Sequence, residues 1–187
     1  MDPVTVHLRP FREADLELFA RFFTDPEVGG PFEWAGFRSF ESLRRRWTED
    51  GLLETSPRWL VVADDDDTAI GWVNWRDDER SGSNVFEIGV LIVPEMRGRG
   101  AGTAAQTQLV DYLFDTTPAH RIWATTEADN IGEQRALERS GFRREGRLRG
   151  THFRGGEWRD SFAYGLLRAD RDSAADPGRL PGADGTE

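Results

Sequence analysis

The sequence predicts a single α/β (α+β) sheet domain, and three observations carry that prediction. An apolar run, Val85 to Val93, passes through Pro94 into Arg97-Gly98-Arg99-Gly100-Ala101-Gly102-Thr103 and then into a helical pattern, which makes one long central βα unit. Strand-like and helix-like stretches follow one another around that unit in mixed order, so sheet and helices share one core. A length of 187 residues, 37% of them hydrophobic, suits one domain with a substantial interior.

Taken in order, Val4 to Arg9 alternates as a first strand closed by Pro10. Leu16, Phe19, Phe22 and Phe23 recur at helical spacing within Glu13 to Thr24, which Asp25-Pro26 stops. Val28 to Phe40 is aromatic and glycine-rich and fits neither period. Ser39 is placed to cap a helix in which Leu43 and Trp47 share a face, with Arg44, Arg45 and Arg46 as a solvated cluster or a substrate clamp. Arg58 to Ala63 and Ile70 to Trp75 form a hairpin whose tip carries four aspartates. Calcium is not expected at that tip, because the ligand alternation and the sharp-turn glycine are missing. In the central strand Gly89 marks a bulge or a close approach to its backbone. In the helix over Gly100 to Thr116, Ala105, Leu109, Tyr112 and Leu113 fall on one face, and Pro118 breaks the pattern. A strand at Arg121 to Thr126 follows, then a helix at Asn130 to Ser140 ending on Gly141. Phe142 to Thr151 and Trp158 to Arg168 flank a Gly155-Gly156 turn. The domain is expected to span residues 1–169, followed by a disordered acidic tail at 170–187.

Several function classes drop out on composition. The chain has no cysteine and no lysine, which removes disulfides, thiolate metal sites, a cysteine nucleophile and a lysine Schiff base. No metal site is expected, since His7, His120 and His152 show no ligand spacing. A net charge of -10 argues against a nucleic-acid partner and is compatible with a cationic substrate or with a merely solubilising surface. Residues from Asp170 on, five acids and two arginines, carry -3 of that charge. No apolar run is long enough for a membrane span and no signal-peptide pattern opens the chain, so a cytoplasmic protein is expected, with a homodimer compatible.

The glycine turn is a candidate anion site, because the free N–H groups of the following helix lie in it beside Arg97 and Arg99. A phosphate loop of the Walker type needs a lysine, and a dinucleotide fingerprint needs a glycine where Thr103 or Ala105 stands. What remains is R-G-x-G-x-G after a strand ending V-P-E. It resembles the pyrophosphate loop, Q/R-x-x-G-x-G/A, of the GCN5-related N-acetyltransferases (GNAT). The segment Asn130-Ile131-Gly132-Glu133 to Gly141-Phe142 is similar to the family's second motif. The resemblance covers nearly all of Val4 to Arg168 and is nearest to the ribosomal-protein-alanine acetyltransferase (RimJ/RimL-type) branch. It implies a mixed, mostly antiparallel sheet splayed at the central strand, with about four helices.

The resemblance also implies acetyl-CoA as acyl donor and a primary amine as acceptor, either a peptide N-terminus or a small cationic molecule. The Val90 N–H would hold the thioester carbonyl, Leu91 and Ile92 would pair with the pantetheine, and Arg97, Gly98, Arg99, Gly100, Ala101, Gly102 and Thr103 would hold the pyrophosphate. Asn130 would contact the cofactor arm and is equally an N-cap. An alkylamine with a pKa of about 10 needs a base at neutral pH. Glu87 leads as that base, and an ion pair with an arginine is its other reading. Glu133, where many relatives carry serine, is the second catalytic candidate or a helix N-terminal acid. Leu137 stands where other relatives place a tyrosine acid. Phe32, Trp34, Phe37 and Asp160 are candidates for binding the acceptor, or for packing. A catalytically silent acyl-CoA sensor of the same fold is the alternative function.

Overall fold

A computed structural model describes residues 4–34, 36–37, 39–78 and 84–175. Its centre is β4, Val85–Ile92, because β-branched and aromatic side chains there are buried from both faces. β4 lies fourth in a seven-stranded sheet with β1 (His7–Arg9), β2 (Arg58–Ala63), β3 (Ala69–Asp77), β5 (Arg121–Glu127), β6 (Arg143–Arg154) and β7 (Glu157–Leu167). The order is β1-β2-β3-β4-β5-β7-β6. Every neighbouring pair is antiparallel except β4 and β5. That parallel ladder holds only Val85↔Arg121, Phe86↔Ile122 and Glu87↔Trp123, after which the two strands part. The sheet is therefore mixed, mostly antiparallel and splayed at its centre, as expected.

Helices cover both faces. On one, Phe19 and Phe22 of α1 (Asp15–Thr24) pack on Trp72, with ring centroids 5.4 and 6.3 Å away. On the other, Tyr112 of α4 (Ala101–Thr116) packs edge-on against Trp75 at 5.8 Å. Trp72 and Trp75 are three apart on one strand, so they point to opposite faces and fix which helix covers which side. The remaining helices are α2 (Pro26–Glu33), α3 (Glu41–Asp50), α5 (Ile131–Arg139) and α6 (Arg168–Ala175), with a 3₁₀ turn at Pro94–Met96.

Six α-helices among the described residues correct the expected four. α2 occupies the stretch that fits neither period, because Asp25 caps it through its side chain to the Glu27 N–H (2.9 Å) and Pro26 opens it. Gly30, at φ 74° and ψ -180°, breaks it into two turns and thereby hides it from a periodicity count. α6 covers the first part of the segment expected to lack order, and residues 176–187 lie outside the described ones. Of the two readings of Gly89, a bulge or a close approach, the structure shows the close approach. Its pairing with Asn74 is in regular register, and a side chain there would meet Asn74 Oδ1 at 3.1 Å.

Candidate functional site

The parting of β4 from β5 leaves main chain without a partner strand. The Val93 N–H donates to the Ile70 carbonyl (2.9 Å) and the Val85 carbonyl accepts from the Asp78 N–H (3.0 Å). Backbone groups alternate along a strand, so Val85, Glu87, Gly89 and Leu91 face β3, while Ile88, Val90 and Ile92 face β5. Beyond the last rung of the parallel ladder, the Val90 N–H and carbonyl open into the gap without a partner among the described residues. Ile92 differs, because its carbonyl accepts from Arg97 Nε (2.7 Å). Leu91 turns its backbone groups to β3, which leaves Val90 as the residue of the three with main chain free for a ligand.

The gap widens into a cavity of about 700 Å³ bordered by β4, β5, the glycine turn, α2 and α5. Gly98 and Gly100 adopt positive φ (71° and 84°), angles that let the chain turn tightly into α4. No side chain caps α4, and the Ala104 N–H is the first to find an intrahelical carbonyl, that of Gly100 (3.0 Å). The N–H groups ahead of it remain available at the positive end of a 16-residue helix. Gly98, Gly100, Gly102 and Thr103 border the cavity, as do Val90, Leu91, Ile92, Arg97 and Asn130. Arg99 and Ala101 do not: the Arg99 guanidinium contacts Met96 Sδ (3.2 Å) and Ala101 is buried. Arg97 holds structure, since it donates to Ile92 and also to the Val28 carbonyl (2.8 Å), fastening α2 to the end of β4.

The two carboxylates have different fates. Glu87 is bound by Arg76, the residue opposite it in the β3–β4 register, with Nε to Oε2 at 2.7 Å, and it does not border the cavity. Glu133 does border it, in the first turn of α5, where Asn130 Oδ1 caps the helix by accepting from the Glu133 N–H (3.2 Å). Burial pushes the Glu133 carboxyl up to about 7; a hydrogen bond from Gln106 works against that rise and the nearby charge of Glu33 adds to it. Gln106 comes from α4 and is buried, and its Oε1 has no partner. This residue escaped the sequence reading, although a glutamine three before Leu109 on a buried helix face is a legible irregularity.

At the other end of the cavity Phe32 and His152 border it together with Glu127. Glu127 is buried and ion-paired to Arg154 (2.6 Å), whose guanidinium lies over the Phe32 ring at 5.2 Å. The His152 Nδ1 is 2.8 Å from the buried Ser161 Oγ. Trp34 and Phe37 do not join Phe32. They pack edge-on at 5.2 Å; Trp34 borders a separate hollow between α2 and the β6–β7 hairpin, and Phe37 is 81% exposed. Asp160 also lies outside the cavity, accepting from the Gly150 N–H (2.9 Å) and from Arg147 Nε (2.7 Å), which in that order hold its carboxyl below the usual range. It fixes an irregular stretch of β6, where the register shifts between Leu148 and His152. Arg135 and Arg139, absent from the sequence-derived candidates, border the cavity from α5.

A sheet split beside a glycine turn, with free amides along both, is an open strand edge against which an extended, phosphate-bearing ligand can pair. The chain belongs to the GNAT family: residues 5–143 match the family profile described as Acetyltransferase (GNAT) domain. It is an N-acetyltransferase of that family, which uses acetyl-CoA. The provisionally named N-acetyltransferase YjcK of Bacillus subtilis is 33% identical over 137 residues, 72% of this chain and 76% of that one. YdaF of the same organism, provisionally named a ribosomal N-acetyltransferase, is 32% identical over 84 residues, covering 45% and 46%. Among solved structures, a spermidine N-acetyltransferase from Vibrio cholerae in complex with CoA and spermine superposes with a TM-score of 0.77. It is 22% identical, with 88% of this chain and 96% of that one covered. No helix of the described residues is long and apolar enough to cross a membrane.

Proposed function

We infer that this chain transfers the acetyl group of acetyl-CoA directly to a primary amine, with the thioester in the gap between β4 and β5. The single observation that supports this most is the unpartnered main chain of Val90, in line with the free amides of Gly98 to Thr103. In this reading the Val90 N–H donates to the thioester carbonyl and stabilises the oxyanion as the amine adds. The pyrophosphate rests on the first turn of α4, and Asn130 borders the pantetheine while capping α5.

The unprotonated amine nitrogen forms the new C–N bond, the C–S bond breaks, the nitrogen sheds its proton to water and the departing thiolate gains one from a carboxyl. Glu133 is the carboxyl of the cavity that is both protonated and ionised near neutrality, and we assign it the proton delivered to sulfur. Gln106 orients it. Glu87 has no direct part in this scheme, because Arg76 occupies its carboxylate.

The acceptor enters from the Phe32 and His152 end, and the carboxylates that border the cavity, Glu33, Glu127 and Asp129, are compatible with a cationic amine although Arg154 pairs with Glu127 and Arg159 with Asp129. Spermidine and a peptide with an N-terminal alanine are the first acceptors to assay, given the polyamine named for the Vibrio enzyme and the ribosomal naming of YdaF. Thiol release from acetyl-CoA, measured against a panel containing both, tests the reading. Amine-dependent, saturable release is expected, and its absence with every amine would overturn it.

A further inference from the structure

Of the three arginines that border this cavity among the described residues, Arg97 is already engaged, holding the Ile92 and Val28 carbonyls. Arg135 and Arg139 are different. Both border the cavity from α5, both are exposed, and neither has a hydrogen bond or ion pair among the described residues. They stand four apart on one helix, so they share a face about 6 Å apart along the axis and repel one another. α5 carries them to the glycine turn: Ser140 Oγ lies 3.3 Å from the Thr103 carbonyl and 3.2 Å from Thr107 Oγ1, which sets the last turn of α5 against the first turn of α4. Two unpaired guanidiniums next to a row of free amides is a stronger anion site than the amides alone need for a diphosphate.

CoA carries a third phosphate, a 3′-monoester that is mostly a dianion at neutral pH with a second pKa of about 6. The amides of the α4 turn serve the diphosphate, which leaves the third phosphate to other groups bordering the cavity. A side-chain clamp is what the remaining dianion requires, and guanidinium suits it because its planar fork matches two phosphate oxygens. We propose that Arg135 and Arg139 grip the 3′-phosphate of CoA, so that this enzyme selects CoA over 3′-dephospho-CoA. The assignment rests on the donor site described above and adds a specificity-determining pair to it.

Calorimetric titration of CoA and 3′-dephospho-CoA into the wild-type chain and into Arg135→Gln/Arg139→Gln tests it. At about tenfold per charge-assisted contact, the wild type binds CoA about 100-fold tighter than dephospho-CoA. The double variant binds both alike, with the affinity the wild type has for dephospho-CoA, and this also shows that it is folded. The wild-type preference shrinks as salt is raised. Equal wild-type affinities would overturn the clamp while leaving the donor site intact. A preference that persists in the double variant would place the 3′-phosphate elsewhere. Loss of dephospho-CoA binding in the double variant would show the arginines holding the diphosphate instead, which also overturns the proposal. Wild-type failure to bind either compound would remove the donor site itself.

Discussion

Replacing Glu133 by glutamine removes one titration from the cavity and leaves the hydrogen-bonding shape of the side chain nearly intact. In the wild type the carboxyl rises from an ordinary 4.5 to about 7, first because burial disfavours its charge. The sign follows from proton counting. Between pH 4.5 and 7 the folded chain holds a proton that the unfolded chain has lost, so stability falls as pH rises through that window and is flat above it. At about 1.36 kcal/mol per pH unit the upper bound is about 3 kcal/mol, and solvent screening of a half-buried side chain reduces that to about 2 kcal/mol. Glutamine escapes this cost, and its amide can also donate to the unpartnered Oε1 of Gln106. Thermal melts of both proteins from pH 5 to pH 8 measure the difference. The variant should match the wild type at pH 5 and exceed it at pH 8 by about 4–8 °C, at about 2–4 °C per kcal/mol for a chain of this size. Its turnover should fall by about 100-fold with little change in donor affinity, because the proton for sulfur has lost its carrier. A melting difference that stays constant across the pH range would refute the buried-carboxyl argument, and undiminished turnover would refute the role.

Glu87→Gln should change turnover by less than about threefold and cost about 0.5–1 kcal/mol through the lost Arg76 pair; a 100-fold loss of turnover would return the base to Glu87. Gly100→Val forces a β-branched side chain to φ 84°, at about 1–2 kcal/mol, and should weaken CoA binding about tenfold or more in calorimetry. Nothing lies within 4 Å of a side chain at that glycine, so unchanged affinity would mean the turn relaxes without harming its amides. Asp160→Ala should loosen β6, visible as faster amide exchange at Gly150, while CoA affinity stays as in the wild type. Altered CoA affinity there would draw Asp160 into the site.

What was legible in the sequence is what local chemistry decides. The strand, the glycine turn and α4 announce themselves through consecutive residues, and the Asn130 cap needs only a donor three positions on. What escaped depends on residues far apart. α2 is held by Arg97, whose guanidinium reaches the Val28 carbonyl across 69 positions. Whether Glu87 meets an amine or an arginine is decided by strand register, which puts Arg76 directly opposite. Gln106 and Glu133 meet because α4 and α5 pack together, and no spacing along the chain encodes that. Phe32, Trp34 and Phe37 look alike in sequence, yet only Phe32 borders the cavity: it lies within α2, while Trp34 and Phe37 fall beyond the helix end at Glu33 and pack on each other.

The three-rung parallel ladder has a mechanical consequence. Strands β1 to β4 and strands β5 to β7 form two half-sheets stitched along a seam of only Val85, Phe86 and Glu87 on one side and Arg121, Ile122 and Trp123 on the other. A thioester tail bound across that seam, as proposed, would act as a wedge and a weld at once. It would keep the halves apart in the gap and couple them where the stitches stop. Occupancy should therefore slow deuterium uptake on both banks of the seam, Val90 and Thr125 alike, long before any product is formed.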